Sequence, residues 1–129
     1  MKIMLVDDSA IIRRVFKNAL SVMIDDVEFV EAADGVEGVQ KLKANPDVSI
    51  IFLDVNMPNM KGDAFLEKTR ENAEYNKIKI IMATTEAEKK TVVKMMKLGA
   101  NGYLVKPFNP ESIRNALKPI AERMGIELK

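Results

Sequence analysis

"IIFLDVNMPNMKG", residues 50–62, decides how the chain is read. Its first four residues are apolar without alternation. So short and unbroken a run suits a strand covered on both faces, as in a parallel sheet. The run stops on Asp54, and Pro58 and Gly62 follow within eight residues. Those two have the look of structure, a rigid turn and a conformationally free helix start. A carboxylate that ends a buried strand has four readings: a cap, a metal ligand, a general base or a nucleophile.

Outward from this stretch, short apolar runs recur at residues 3–6, 27–30, 78–83 and 103–105. Between them lie segments with helical spacing. Ile12, Val15, Phe16, Ala19, Leu20 and Met23 form one apolar stripe, and Ile113, Ala116, Leu117, Ile120, Ala121 and Met124 another. Asp34 with Glu37 and Thr85 with Glu88 have the spacing of helix starts. Asn109 before Pro110 reads as an N-cap and first helical residue, and Gly99 as a helix end. Strand and helix therefore alternate five times, which implies a parallel sheet with helices on both faces. Pro119 falls inside the last helix and is expected to kink or locally open it.

A chain of 129 residues without a Pro/Gly/Ser-rich linker is expected to be one domain, residues 1–129. Its net charge of +1 gives no global field toward nucleic acid or a membrane. No apolar run has transmembrane length, and "MKIMLVDD" is too short and too soon acidic for a signal peptide. A soluble, cytoplasmic monomer is the expectation, with neither nucleic-acid binding nor membrane insertion. The chain has no cysteine and no histidine. That excludes disulfides, thiolate metal sites, Ser-His-Asp catalysis and the common zinc ligands. Chemistry must rest on carboxylates, hydroxyls, amides, lysines or a borrowed cation.

Polar residues follow each run: Asp7 and Asp8 after the first, Asp54 after the third, Thr84 after the fourth and Lys106 after the fifth. In a parallel sheet these ends share one edge, where open α/β sheets bind ligands. If the first and third strands are neighbours, three carboxylates meet there. Like charges raise one another's pKa, and a cation resolves the conflict. With oxygen ligands alone it should be hard: Mg²⁺, or else Mn²⁺ or Ca²⁺. With Lys106 and Thr84 beside it, this reads as a phosphoryl site in which one carboxylate could attack phosphorus.

The motifs "LVDDS" (residues 5–9), "LDVNMPNMKG" (53–62), "ATTEAEKK" (83–90) and "GYLVKPF" (102–108) resemble, in order and spacing, the receiver domain of two-component response regulators. The single-domain chemotaxis type is most similar. The resemblance spans nearly the whole chain and implies a flavodoxin-like fold, with a five-stranded parallel sheet of order 2-1-3-4-5 and five helices. It implies that Asp54 is the phosphoacceptor, loaded by a partner histidine kinase. Asp8 is then the direct Mg²⁺ ligand, with Asp7 acting through water and Asn56 giving its backbone carbonyl. Thr84 bonds the phosphoryl group and moves inward on activation. Lys106 is aimed inward by a cis bond to Pro107, and Tyr103 is the aromatic switch. Asn56 and Glu86 flank the path of the hydrolytic water, so slow hydrolysis is expected. Lys61 departs from the acidic residue common before this glycine.

The resemblance places the output surface on the fourth helix, fifth strand and fifth helix, with Ala87, Lys89, Val92 and Tyr103 as candidates. The flagellar motor switch is the expected partner, with another two-component relay as the alternative. No appended DNA-binding domain is expected within these residues. The protein is expected to be a signalling switch and not an enzyme on an external substrate. A D-x-D phosphohydrolase is the second reading, weakened because Asn56 cannot donate a proton at neutral pH. A flavodoxin-like carrier would need a phosphate cradle where "DDSA" stands (residues 7–10).

Overall fold

The computed structural model describes residues 1–85 and 89–129. In chain order the elements are β1 (Lys2–Val6), α1 (Ala10–Met23), β2 (Glu28–Ala32), α2 (Gly35–Ala44), β3 (Ile50–Asp54) and α3 (Gly62–Glu71). A 3₁₀ turn (Ala73–Tyr75) precedes β4 (Lys79–Thr84), α4 (Lys89–Lys97), β5 (Gly102–Val105) and α5 (Pro110–Met124). The strands form one parallel sheet of order β2-β1-β3-β4-β5, as the resemblance implied.

Burial of β3 explains its uninterrupted apolar run. Ile50 and Phe52 face the α1 and α5 layer, where Phe16, Leu20, Ile113 and Leu117 meet them. Ile51 and Leu53 face the opposite layer, with Leu42, Phe65, Leu66 and Met95 from α2, α3 and α4. Each fully buried large side chain contributes about 1.5–3 kcal/mol. Slipping β3 by one residue would exchange those faces and carry Asp54 about 3.3 Å along the strand. The same packing that holds the core therefore fixes where Asp54 emerges.

Helix starts follow the sequence signals. Ser9 accepts the Ile12 N–H at 3.2 Å to open α1, and Asp34 accepts the Glu37 N–H at 2.8 Å to open α2. Asn109 and Ser112 form a full capping box with Pro110 at the first helical position. Gly99, at φ +107°, ends α4 in a conformation that suits glycine. The helix start expected at Thr85 and Glu88 involves Glu88, outside the described residues.

The differences are local. β2 begins one residue later than expected and runs on to Ala32, following its register with β1. Asp54 and Thr84 are the last residues of β3 and β4, not the first beyond them, because each pairs with the neighbouring strand. α5 continues unbroken through Pro119. Pro119 is solvent-exposed, so the lost N–H costs a hydrogen bond on the wet side and leaves the buried stripe of Ile113, Leu117 and Ile120 intact.

Candidate functional site

Asp7 follows β1 directly, and its N–H donates to Ala32 O at 3.1 Å, continuing the ladder with β2. Its side chain is buried, with Oδ1 accepting the Ser9 N–H at 2.9 Å. Asp8, next along, is exposed. Asp54 is only 4 % exposed although it ends a strand at an open sheet edge. Lys106, reached from β5, spans the two buried carboxylates, with Nζ 3.1 Å from Asp7 Oδ2 and 3.0 Å from Asp54 Oδ1. The Lys106–Pro107 peptide is cis, as expected. The Lys106 N–H donates to Thr84 O at 2.7 Å, tying the lysine's backbone to the end of β4.

Burial pushes the Asp54 carboxyl above its ordinary pKa; the Lys106 ammonium opposes this, and repulsion from Asp7 adds to it. Burial alone would lower Lys106, but hydrogen bonds and attraction from both carboxylates outweigh it and raise its pKa. The two shifts agree physically. Lys106 has two anionic partners, whereas Asp54 shares one ammonium with a second carboxylate.

Ligand oxygens of Asp7, Asp8 and Asp54 all lie within 4.8 Å of one another. Three carboxylates thus face one ammonium, and an all-oxygen donor set with two uncompensated negative charges fits a hard dication. Asn56, exposed on the following loop, donates its N–H to Asp54 Oδ1 at 3.3 Å. Gly62 closes that loop. Its N–H reaches Val55 O at 2.9 Å, and a Cβ there would meet Asp54 O at 2.2 Å. Only glycine lets the chain return so close to Asp54.

Thr84 is 1 % exposed at the end of β4. Tyr103 lies on β5 with its ring 46 % exposed, turned outward. Lys89 is exposed, while Val92 is half-buried against the core and offers a partner little surface. Glu86 and Ala87 lie outside the described residues.

Two supports were missed in the sequence. Arg13 of α1 donates to the Asp7 carbonyl and is held by Glu31, whose other oxygen pairs with Lys17. Asn59 bonds Asp34 from 25 residues away. Lys61 stands as N-cap of α3 without a side-chain cap. The contacts of Arg13 and Asn59 needed the fold, whereas Lys61 already stood out in the sequence.

The sequence profile of the response regulator receiver domain matches residues 3–118. The chain belongs to the response regulator receiver family. The receiver is 42 % identical over 121 residues to the chemotaxis protein CheY1 of Helicobacter pylori, covering 93 % of this chain and 96 % of that one. Among solved structures, the chemotaxis response regulator CheY4 of Vibrio cholerae superposes with a TM-score of 0.84 at 36 % identity, covering 92 % and 97 % of the two chains. A chain of the CheX–CheY–BeF₃–Mg²⁺ complex of Borrelia burgdorferi gives 0.83 at 25 % identity, covering 96 % and 89 %. The present chain is a CheY-like receiver domain of the two-component type. Among the described residues, no helix is long and apolar enough to cross a membrane.

Proposed function

We propose that the receiver, as a single unit of residues 1–129, accepts a phosphoryl group on Asp54 and thereby changes its affinity for a protein partner. One observation carries this. Asp54 Oδ1 is held by Lys106 and by the Asn56 N–H, whereas among the described residues no hydrogen bond reaches Oδ2. A buried carboxylate clamped through one oxygen presents the other as nucleophile.

The donor is a phosphohistidine on a partner kinase, since the chain has no histidine. Oδ2 forms a bond to phosphorus as the phosphorus–nitrogen bond breaks. The electron pair leaves with the imidazole, and Asp54 becomes a mixed anhydride. Lys106 stays within reach of both carboxylates and balances charge on the incoming oxygens. Thr84 offers a hydroxyl beside the same strand end. Asp8, Asp54 and the Asn56 backbone carbonyl would hold Mg²⁺, with Mn²⁺ as a substitute. Asp7 would act through water, since Ser9 and Lys106 already occupy its oxygens. Bound there, the dication neutralises the phosphoryl oxygens and the surplus carboxylate charge.

Asn56 and Glu86 set the lifetime of the phosphoryl group. Tyr103 and Lys106 line one groove of about 610 Å³ between β5 and α5, together with Asn115 and Ala116. That groove supports β5 and α5 as part of an output surface, which Lys89 of α4 and Tyr103 would share; Ala87, also a candidate, lies outside the described residues. The chemotaxis relatives favour the flagellar motor switch as the partner. The receiver works in the cytoplasm, where that kinase and partner would meet it.

Incubation with a small phosphodonor and Mg²⁺ should add one phosphoryl mass to Asp54, and Asp54→Asn should abolish the gain. A mass gain elsewhere, or none, would overturn the assignment. Motor-switch peptide binding that ignores beryllofluoride loading would remove the motor as target.

A further inference from the structure

Residues 55–61 connect Asp54 to α3, and Asn56 stands second among them. At the tip, Met60 donates its N–H to Pro58 O at 2.7 Å, closing a three-residue turn around Asn59. Asn59 sits at φ +66°. A three-residue turn with positive φ at its centre is the rare, strained form, and glycine would adopt it more cheaply. The side chain of Asn59 explains why an asparagine serves there. Its Nδ2 donates to Asp34 Oδ2 at 2.8 Å, while Asp34 Oδ1 is already committed to capping α2. Beside this bond, Met60 packs on the first residue of α2 so closely that a Cβ on Gly35 would meet Met60 Cβ and O at 2.7 Å each. Met57, on the other side of the tip, is buried in the core. The loop is thus pinned on either side of Pro58 and again at its base, where Gly62 bonds Val55.

We propose that Asp34 and Asn59 form a latch between α2 and this loop, and that they are positioning residues for the Asn56 backbone. The inference rests on the reading above, in which the Asn56 carbonyl faces the metal. Asn56 is exposed; the peptide before it is anchored by the Val55 bonds to Ala83 O and Gly62 N–H and by its own N–H on Asp54, whereas among the described residues its carbonyl side is held by the pins that follow it. Strain kept at Asn59 is of the kind that persists where the surroundings over-determine a conformation, here to hold a nearby group in place. Released from Asp34, the loop keeps its base and Met57 but loses its outer pin. The Asn56 carbonyl then samples orientations that do not face the carboxylates.

The decisive variant is Asn59→Gly. It keeps the left-handed backbone and changes no charge; it removes the latch together with the strain at that position, whereas Asp34→Ser removes the latch and leaves Asn59 in place. Mn²⁺ titration, followed by electron paramagnetic resonance, should show affinity about fivefold to tenfold weaker than wild type. That is the effect of one lost net hydrogen bond or of a lost support behind a metal ligand. Asp34→Ser, which retains the α2 cap, should weaken binding as well. Combining it with Asn59→Gly should add no more than its own charge effect, because the latch is already open. In metal-free protein, amide exchange at Asn56 and Met57 should quicken in Asn59→Gly while that of β3 stays unchanged.

Failure of the two readings is distinguishable. If wild type binds no Mn²⁺, or binds it equally after Asp54→Asn, the metal site itself is refuted. If wild type binds through Asp54 and Asn59→Gly matches it within twofold, the latch is refuted. A lower melting temperature with unchanged Mn²⁺ affinity and Asn56 exchange would likewise reduce the pair to a structural contact.

Discussion

Replacing Gly62 by alanine tests whether close backbone return, and not flexibility, is what the site asks of that position. A Cβ there would lie 2.2 Å from Asp54 O, 2.8 Å from Val55 Cα and 2.9 Å from Asp54 C. These are backbone atoms and have no rotamer to change. Heavy atoms pack at about 3.5–4.0 Å, so the start of α3 must retreat by on the order of 1 Å. That retreat stretches the 2.9 Å bond from Gly62 N–H to Val55 O past the useful range. Overpacking costs about 1–3 kcal/mol and the lost bond about 1 kcal/mol. Alanine returns about 0.5–1 kcal/mol through its better helix propensity. The net loss is about 2 kcal/mol.

Unfolding entropy near 2.1 cal/mol/K per residue gives about 0.27 kcal/mol/K for a chain of this size, so the melting temperature should fall by about 7 °C. Phosphorylation should slow at least tenfold, since misplacement by about 1 Å is costly to an oriented reaction. Gly102→Ala is the control. Its nearest atom would be Ile81 Cγ1 at 3.8 Å, an ordinary contact, so it should stay within about 0.5 kcal/mol of wild type. Thermal unfolding with both variants decides the matter. A drop below about 2 °C for Gly62→Ala, or an equal drop for Gly102→Ala, would refute the steric argument.

Lys61→Asp should stabilise the fold by about 1 kcal/mol, because α3 starts without a side-chain cap and aspartate supplies one; Lys61→Ala should give no such gain in the same melt. Arg70 donates to Gly99 O, Tyr75 O, Ile78 O and Asn101 Oδ1. Arg70→Met should therefore cost about 3 kcal/mol by urea denaturation, and Arg70→Lys, a compact ammonium without the planar fork, should recover only part of it. Asp54 carries a raised pKa chiefly through burial. The folded state then holds its proton more tightly than the unfolded chain, so stability is lost as pH rises from the ordinary carboxylate range through the folded pKa. Asp54→Asn should melt higher than wild type in metal-free neutral buffer, with the difference vanishing in acid. A constant difference across pH would contradict the burial argument.

Much of this was legible because it depends on near neighbours. The unbroken run before Asp54 marked a strand buried on both faces, and Asp34 and Asn109 marked helix starts by chemistry that acts over three residues. Convergence of Asp7, Asp8, Asp54 and Lys106 followed from one topological rule about parallel sheets. What stayed illegible acts across the fold. Arg70, near the end of α3, reads in sequence as a basic residue favoured by the helix dipole. In the structure it is a hub joining α3, the 3₁₀ turn and the loop into β5. Asn59 reads as a turn residue, and nothing local indicates that α2 begins within reach of it. Pro119 lies within an unbroken α5 because position 119 faces water, which the stripe does not say.

The site is divided between two kinds of scaffold. Asp7 follows β1 and Asp54 ends β3, strands whose interiors are almost wholly inaccessible and which have a strand on either side. Tyr103 lies on β5, a four-residue edge strand paired on one side alone, and Lys106 follows it directly. Thr84 joins them through its carbonyl bond to the Lys106 N–H. A phosphoryl group on Asp54 would add negative charge where two carboxylates already share one ammonium, and something must move to accommodate it. Moving β1 or β3 would disturb both core layers, whereas moving β5 disturbs one edge. The response should therefore concentrate at Thr84, Tyr103 and Lys106. Beryllofluoride loading followed by amide exchange would test this. Changes larger in β1 and β3 than in β5 would mean that the edge strand is not the compliant part of the switch.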